Sequence, residues 1–176
     1  GGGILNSAKQ LQYTSEEDLY LQSKFRLDEV IGLGTGAIEI KSGYGLTIEA
    51  ELKMLRVIKR LAKNYEIPVK ATFLAAHALP AEYKSDKPAF LKLMTEEILP
   101  QIVEEQLAEY IDVFCESGYF SVNDTGHVLA AGKKYGLIPK IHVNQFTAIG
   151  GVQEAVKHGA LTVDHLEVLK PEDLDA

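Results

Sequence analysis

The sequence predicts an α/β fold, a partial TIM (β/α)8 barrel of about five parallel strands with helices between them. Three observations predict it. Short apolar runs alternate with longer stretches of helical periodicity along most of the chain, and parallel strands need a crossover, for which a helix is the usual choice. Tyr44, His77, Glu116, His142 and His165 stand at or just beyond the end of each apolar run in turn. An open doubly wound sheet gathers its ligand groups at one switch point, whereas a barrel draws on the C-terminal ends of all its strands. Polar groups ending every strand therefore favour the barrel, and His142 and His165, closing successive runs, make metal-assisted hydrolysis the first chemistry to consider.

The elements follow in order. From Thr14 to Leu33 the residues Leu19, Leu21, Phe25, Leu27, Val30 and Ile31 fall mostly on one helical face, and Ser15-Glu16-Glu17-Asp18 has the form of an N-terminal cap. Ala37 to Lys41 is a short strand running into Ser42-Gly43-Tyr44-Gly45. Thr47 caps a helix carrying Ile48, Leu52, Leu55, Ile58 and Leu61, and Pro68 starts the extended run Val69 to Leu74 that reaches His77. A third helix is expected from Pro88 to Tyr110, disturbed at Pro100, whose ring removes a backbone donor and crowds the preceding turn. Ile111 to Glu116 is a strand, Ser121 to Tyr135 a helix, Pro139 to His142 a strand, Ile149 to His158 a helix and Leu161 to His165 the fifth strand.

Composition narrows the function. With 46% hydrophobic and 24% charged residues, the chain is that of an ordinary globular protein, and 176 residues suit a single domain, 1–176. A net charge of -7 opposes binding to nucleic acid or anionic lipid, so the expected partner is a small molecule, with a homodimer left open. One cysteine, Cys115, fits a reducing compartment, and cytoplasm is the default. No apolar run approaches the roughly 20 residues that span a bilayer. The absence of an initiating Met, and an end shortly after the helix start at Pro171, lead us to expect that both ends of the barrel are missing. Such a piece would carry two unpaired parallel edges and an exposed apolar interior.

Among the remaining candidates, His127 and His158 lie in helical patterns away from strand ends. Cys115 sits inside an apolar strand, where a thiol behaves as a small hydrophobe. Gly32-Leu33-Gly34-Thr35-Gly36 precedes a strand instead of opening a helix, so it does not read as a phosphate loop.

Five motifs together carry a family resemblance: Glu39-Ile40-Lys41-Ser42-Gly43-Tyr44-Gly45-Leu46, Thr72-Phe73-Leu74-Ala75-Ala76-His77-Ala78-Leu79-Pro80, Asp112-Val113-Phe114-Cys115-Glu116, His142-Val143-Asn144-Gln145 and Asp164-His165-Leu166-Glu167. In this order and at these intervals the chain resembles the imidazolonepropionases of the metal-dependent amidohydrolase superfamily, from Gly1 to about Leu169. The resemblance implies barrel strands two to six, and hydrolysis of 4-imidazolone-5-propanoate to N-formimino-L-glutamate in histidine degradation. It also implies one divalent or trivalent metal ion, zinc or iron.

By the same resemblance His142 is a metal ligand, and imidazole is the commonest one. His165 is implied as the catalytic histidine near the attacking water. Tyr44, His77 and Gln145 are implied as substrate contacts, and a phenol and an imidazole can hydrogen-bond a planar ring with carbonyl and N–H groups. Each also has a plainer role: Tyr44 packing over a glycine-rich turn, His77 holding a loop, Gln145 capping a helix. Glu116 could orient a ligand or pair with a lysine. The family's His-x-His pair would lie before Gly1 and its aspartate ligand after Ala176, so this chain alone is expected to be inactive. Two rival classes stay open: another metal-dependent amidohydrolase, of cyclic amidine or nucleobase deaminase type, and a non-catalytic ligand-binding barrel fragment.

Overall fold

The structure, a computed structural model, describes residues 3–176. Five parallel staves curl into a half-barrel: β1 (Ile38–Lys41), β2 (Val69–Ala76), β3 (Tyr110–Cys115), a fourth stave broken at Lys140 into β4 (Ile138–Pro139) and β5 (Ile141–Val143), and β6 (Val163–His165). Neighbours in sequence are neighbours in the sheet, β1 on β2, β2 on β3, β3 on both β4 and β5, and β5 on β6. The helices α1 (Ile4–Tyr13), α2 (Glu16–Gly32), α3 (Ile48–Asn64), α4 (Lys87–Lys92), α5 (Leu99–Glu104), α6 (Val122–Lys134), α7 (Gly151–Lys157) and α8 (Pro171–Leu174) supply the rest. None of the described helices is long and apolar enough to cross a membrane.

The helix starts stand where the capping residues put them. Ser15 Oγ accepts from Asp18 N, Thr47 Oγ1 from Ala50 N, and Ser121 forms a reciprocal capping box with Asp124. The third helix departs from expectation at both of its later stages. Pro100 cannot donate to the carbonyl a turn earlier, and the helix widens to a π turn over Leu93–Ile98 before resuming as α5. It then stops at Glu104 instead of Tyr110, because Gln106 takes a left-handed backbone (φ 52°) and Tyr110 already belongs to β3. Helix α1 was not foreseen, although Ile4, Ala8 and Leu11 share one helical face and Ala8 is buried.

The period of two along each strand separates two faces. Phe73, Ile111 and Val113 are fully buried and share one apolar core with Leu55, Ile58 and Leu61 of α3, Phe90, Ile98 and Leu129. A smaller core of Cys115, Ile141, Val143, Val152 and Ala155 continues it under α7. At about 1.5–3 kcal/mol for each large side chain removed from water, this convex layer is what drives the sheet onto its helices.

The concave face is a different surface. Glu39, Lys41, Asp112, Lys140, His142 and Asp164 lie on it, and ion pairs among the two lysines and the three carboxylates link β1, β3, the fourth stave and β6. The expected apolar interior is therefore a correction: the charged residues occupy alternate strand positions, and the apolar ones between them face the helices.

Candidate functional site

Four devices bring the polar strand ends together. The first is the turn after β1, where Gly43 (φ 92°) lies against Leu74 so closely that any Cβ would be 2.7 Å from its Cγ. Glycine is thus required there on two counts, and the turn it permits carries Tyr44 over the mouth. Glu51, from the first turn of α3, fixes that turn: its carboxylate accepts from Gly43 N (2.7 Å), Gly45 N (2.7 Å) and Leu46 N (2.9 Å). Burial pushes the Glu51 carboxyl above its ordinary value, against the pull of the three N–H groups.

The second device is a bulge in β2. Pairing with β3 runs Leu74 to Asp112 and then Ala76 to Val113, skipping Ala75. The extra residue changes the phase of the strand, so Ala76 joins the core and His77 turns to the mouth. His77 Nδ1 meets Gly43 O at 3.1 Å. Burial lowers the His77 pKa, with the neighbouring imidazoles His142 and His165 acting in the same direction.

The third is the left-handed backbone at the end of β6. Val163 packs in the core and Asp164 faces the concave side, so strict alternation would send His165 back to the core. With φ 80° at His165 and 61° at Leu166 the alternation breaks: Leu166 packs with Val163, and the His165 ring comes to 5.3 Å from that of His142. Such conformations are uncommon for residues other than glycine and concentrate at functional sites.

The fourth is a second carboxylate clamp. Glu116, just past β3, accepts from Ser117 N (2.7 Å), Phe146 N (2.9 Å), Thr147 N (3.2 Å) and the Thr147 hydroxyl. It neither touches the imidazoles nor pairs with a lysine; it holds the loop after β5, which contains Gln145. Burial works to raise its pKa and is outweighed by the Thr147 hydroxyl and the three N–H groups, which lower it.

The result is a ring of groups around Phe114. His77, His142 and His165 have centroids 6.2, 6.5 and 6.4 Å from that of Phe114, and Tyr44 meets His77 edge-on at 4.8 Å. Four of the five residues expected from sequence are thus adjacent. Gln145 is half-buried on the neighbouring loop, and its side chain makes no hydrogen bond to the described residues. A cavity of about 940 Å³ lies beside the ring cluster, between α1 and the loops carrying Leu79, Lys84, Glu116 and Tyr119.

Beneath the rings lies the ionic layer. Asp112, fully buried, accepts from Lys41 Nζ at 2.7 Å and, through its other oxygen, from the His142 backbone N–H at 3.1 Å. Lys41 also reaches Asp164 at 3.1 Å and Glu39 at 3.0 Å, and Glu39 pairs with Lys140 and accepts from Thr72. Burial penalises each of these charges, and the partners win. The Asp112 carboxyl is held below its usual range by His142 and Lys41, Glu39 falls to about 2 through Lys140, Thr72 and Lys41, and Lys41 is raised by Asp112, Glu39 and Asp164.

Asp112, His142 and Asp164 each place one ligand-type atom within 4.8 Å of the others, a set able to hold a metal ion. His142 Nδ1 lies 2.8 Å from Asp112 Oδ2, and both carboxylates share the Lys41 ammonium. Asp112, Asp164, Lys41 and Glu51 were not singled out from sequence, although Glu39/Lys41 and Lys140/His142 at i, i+2 in otherwise apolar strands carry the signal of one shared face.

Comparison with known proteins places this arrangement. No family model matches the chain. Over 175 residues, 99% of the chain, it is 65% identical to the imidazolonepropionases of Flavobacterium psychrophilum and Christiangramia forsetii, and 43% identical to that of Shouchella clausii. It spans 43%, 43% and 39% of the length of these three relatives.

Proposed function

We infer, for a chain whose sequence relatives are imidazolonepropionases, that the complete protein opens the imidazolone ring of 4-imidazolone-5-propanoate with water, giving N-formimino-L-glutamate. The observation that carries this reading is the convergence of Tyr44, His77, His142 and His165 on one mouth of the half-barrel. In a chain this similar to enzymes of that name, such convergence supplies donors and acceptors for a planar ring with a carbonyl and N–H groups.

His142 would hold the metal ion, zinc or iron, and Asp112, which accepts from the His142 backbone N–H and lies 2.8 Å from its Nδ1, fixes the strand and the ring that present it. When bound, the ion lowers the pKa of water and polarises the scissile carbonyl. The chain's own groups do the rest. Tyr44 and His77 bind and orient the ring from the β1 and β2 ends, and Gln145 reaches it from the loop that Glu116 holds. His165 Nδ1 is engaged by Glu167 Oε1 at 3.2 Å, which leaves the other ring nitrogen to take or deliver a proton at the ring amide. Lys41 pairs with both Asp112 and Asp164 beneath the reacting atoms.

The test is His142→Ala in the complete protein, with metal content and turnover of imidazolone-propanoate both measured. We expect metal stoichiometry to fall well below one and most activity to disappear. Retention of both would remove His142 as a ligand.

A further inference from the structure

Glu51 takes no part in the chemistry above, yet it is 1% exposed, and its carboxylate is spent on three backbone N–H groups of one turn. That turn is the one whose carbonyl, Gly43 O, meets His77 Nδ1 at 3.1 Å. A carbonyl oxygen can only accept, so the proton of a neutral His77 must sit on Nδ1. Its Nε2 is then a lone-pair acceptor.

We propose that Glu51 is a positioning residue which, by clamping the 43–46 turn, locks His77 in the Nδ1–H tautomer, so that His77 offers an acceptor to an N–H of the bound ligand. The geometry leaves the turn little other choice. Gly43 N and Gly43 O belong to the two peptide units on either side of one Cα and have different partners, Glu51 for the first and His77 for the second, so a turn that reorients about Gly43 on loss of the carboxylate moves the carbonyl off His77. Leu46, a non-glycine residue held at φ 61°, is the third contact and shows that the turn adopts a conformation it would not choose unaided. The specificity that follows is for a ring carrying N–H at the His77 side; a ligand presenting a carbonyl or an unprotonated ring nitrogen there meets lone pair against lone pair. This assignment rests on His77 contacting substrate, as in the function proposed above.

The experiment uses the complete, metal-loaded protein with 15N-labelled histidine. The imidazole resonances are assigned by the signal lost in His77→Gln, and steady-state kinetics are compared for wild type and Glu51→Gln. Glu51→Asp, which keeps the charge but withdraws it by one methylene, serves if the first variant does not fold. We expect wild-type His77 to show a protonated Nδ1 and an unprotonated Nε2. In the Glu51 variant that pattern should be lost, with KM raised roughly three- to tenfold, the scale of one hydrogen bond, and kcat changed less. A wild-type His77 protonated on Nε2, or an unaltered tautomer in the variant, overturns the proposal. A tautomer lost as expected with KM unchanged overturns the specificity for a ligand N–H and the contact between His77 and substrate, while leaving the clamp itself in place.

Discussion

The two faces of one sheet obey opposite rules. On the convex side Phe73, Ile111 and Val113 are packed dry against helices, where shape and area decide stability. On the concave side Glu39, Lys41, Asp112, Lys140 and Asp164 alternate in sign across the staves, so that most of these charges lie beside an opposite one. The same strands build both, one residue apart. A fold can therefore be stabilised by one parity of its strand residues while the other parity is free to become a site.

The difference can be tested in order of expected effect. Phe73→Ala, which empties a fully buried aromatic position, should cost about 4 kcal/mol in denaturant unfolding; a loss under 1 kcal/mol would mean the convex core is not the main support. Asp112→Ala takes the nearest carboxylate from Lys41, leaving it Glu39 and Asp164, and unpairs the His142 amide; about 3 kcal/mol is expected, whereas the double change Asp112→Leu with Lys41→Met should recover most of it. If the double variant is no better than the single, pairing is not what the concave face supplies.

The smallest effect is the most diagnostic. Glu39, brought from an ordinary 4.5 to about 2, binds its proton less readily folded than unfolded. Its contribution is therefore complete above about pH 4.5 and is lost as the pH falls toward 2, and Asp112 shifts in the same sense. Unfolding measured between pH 5 and pH 2 should show this acid slope, with a shallower slope in Lys140→Met, which withdraws one of the partners holding Glu39 down. Equal slopes in the two proteins would count against the Lys140–Glu39 pair.

How far sequence reached follows the same division. The five strand and helix units were placed within a few residues because apolar period and capping residues are local signals, and Thr47, Ser15 and Ser121 act where they were read. Tyr44, His77, His142 and His165 stood out because each lies at or beyond a strand end, and the family resemblance implied their roles. What sequence did not show were the devices that aim them: the bulge at Ala75, the left-handed turn at His165, the clamp by Glu51 and the loop-holding role of Glu116, which was read as orienting a ligand or pairing with a lysine. A bulge depends on the partner strand, and a clamp on a single carboxylate turned toward backbone N–H groups, so neither leaves a periodic trace. Asp112 and Lys41 are the instructive omission, since both stood inside the quoted motifs, among apolar strand residues, and neither was given a role.

The ion-paired concave face also bears on how such a protein is made. A ribosome releases its strands one by one, at about 5–20 residues per second, so a barrel spends seconds half-assembled. An apolar lumen would then lie open as a target for chaperones and for other nascent chains. Here Lys41 is ready to meet Asp112 as soon as β3 docks, and Lys140 to meet Glu39 once the fourth stave arrives. The unfinished lumen carries charges that water can solvate, and β3, the fourth stave and β6 each bring a counter-charge for those already in place.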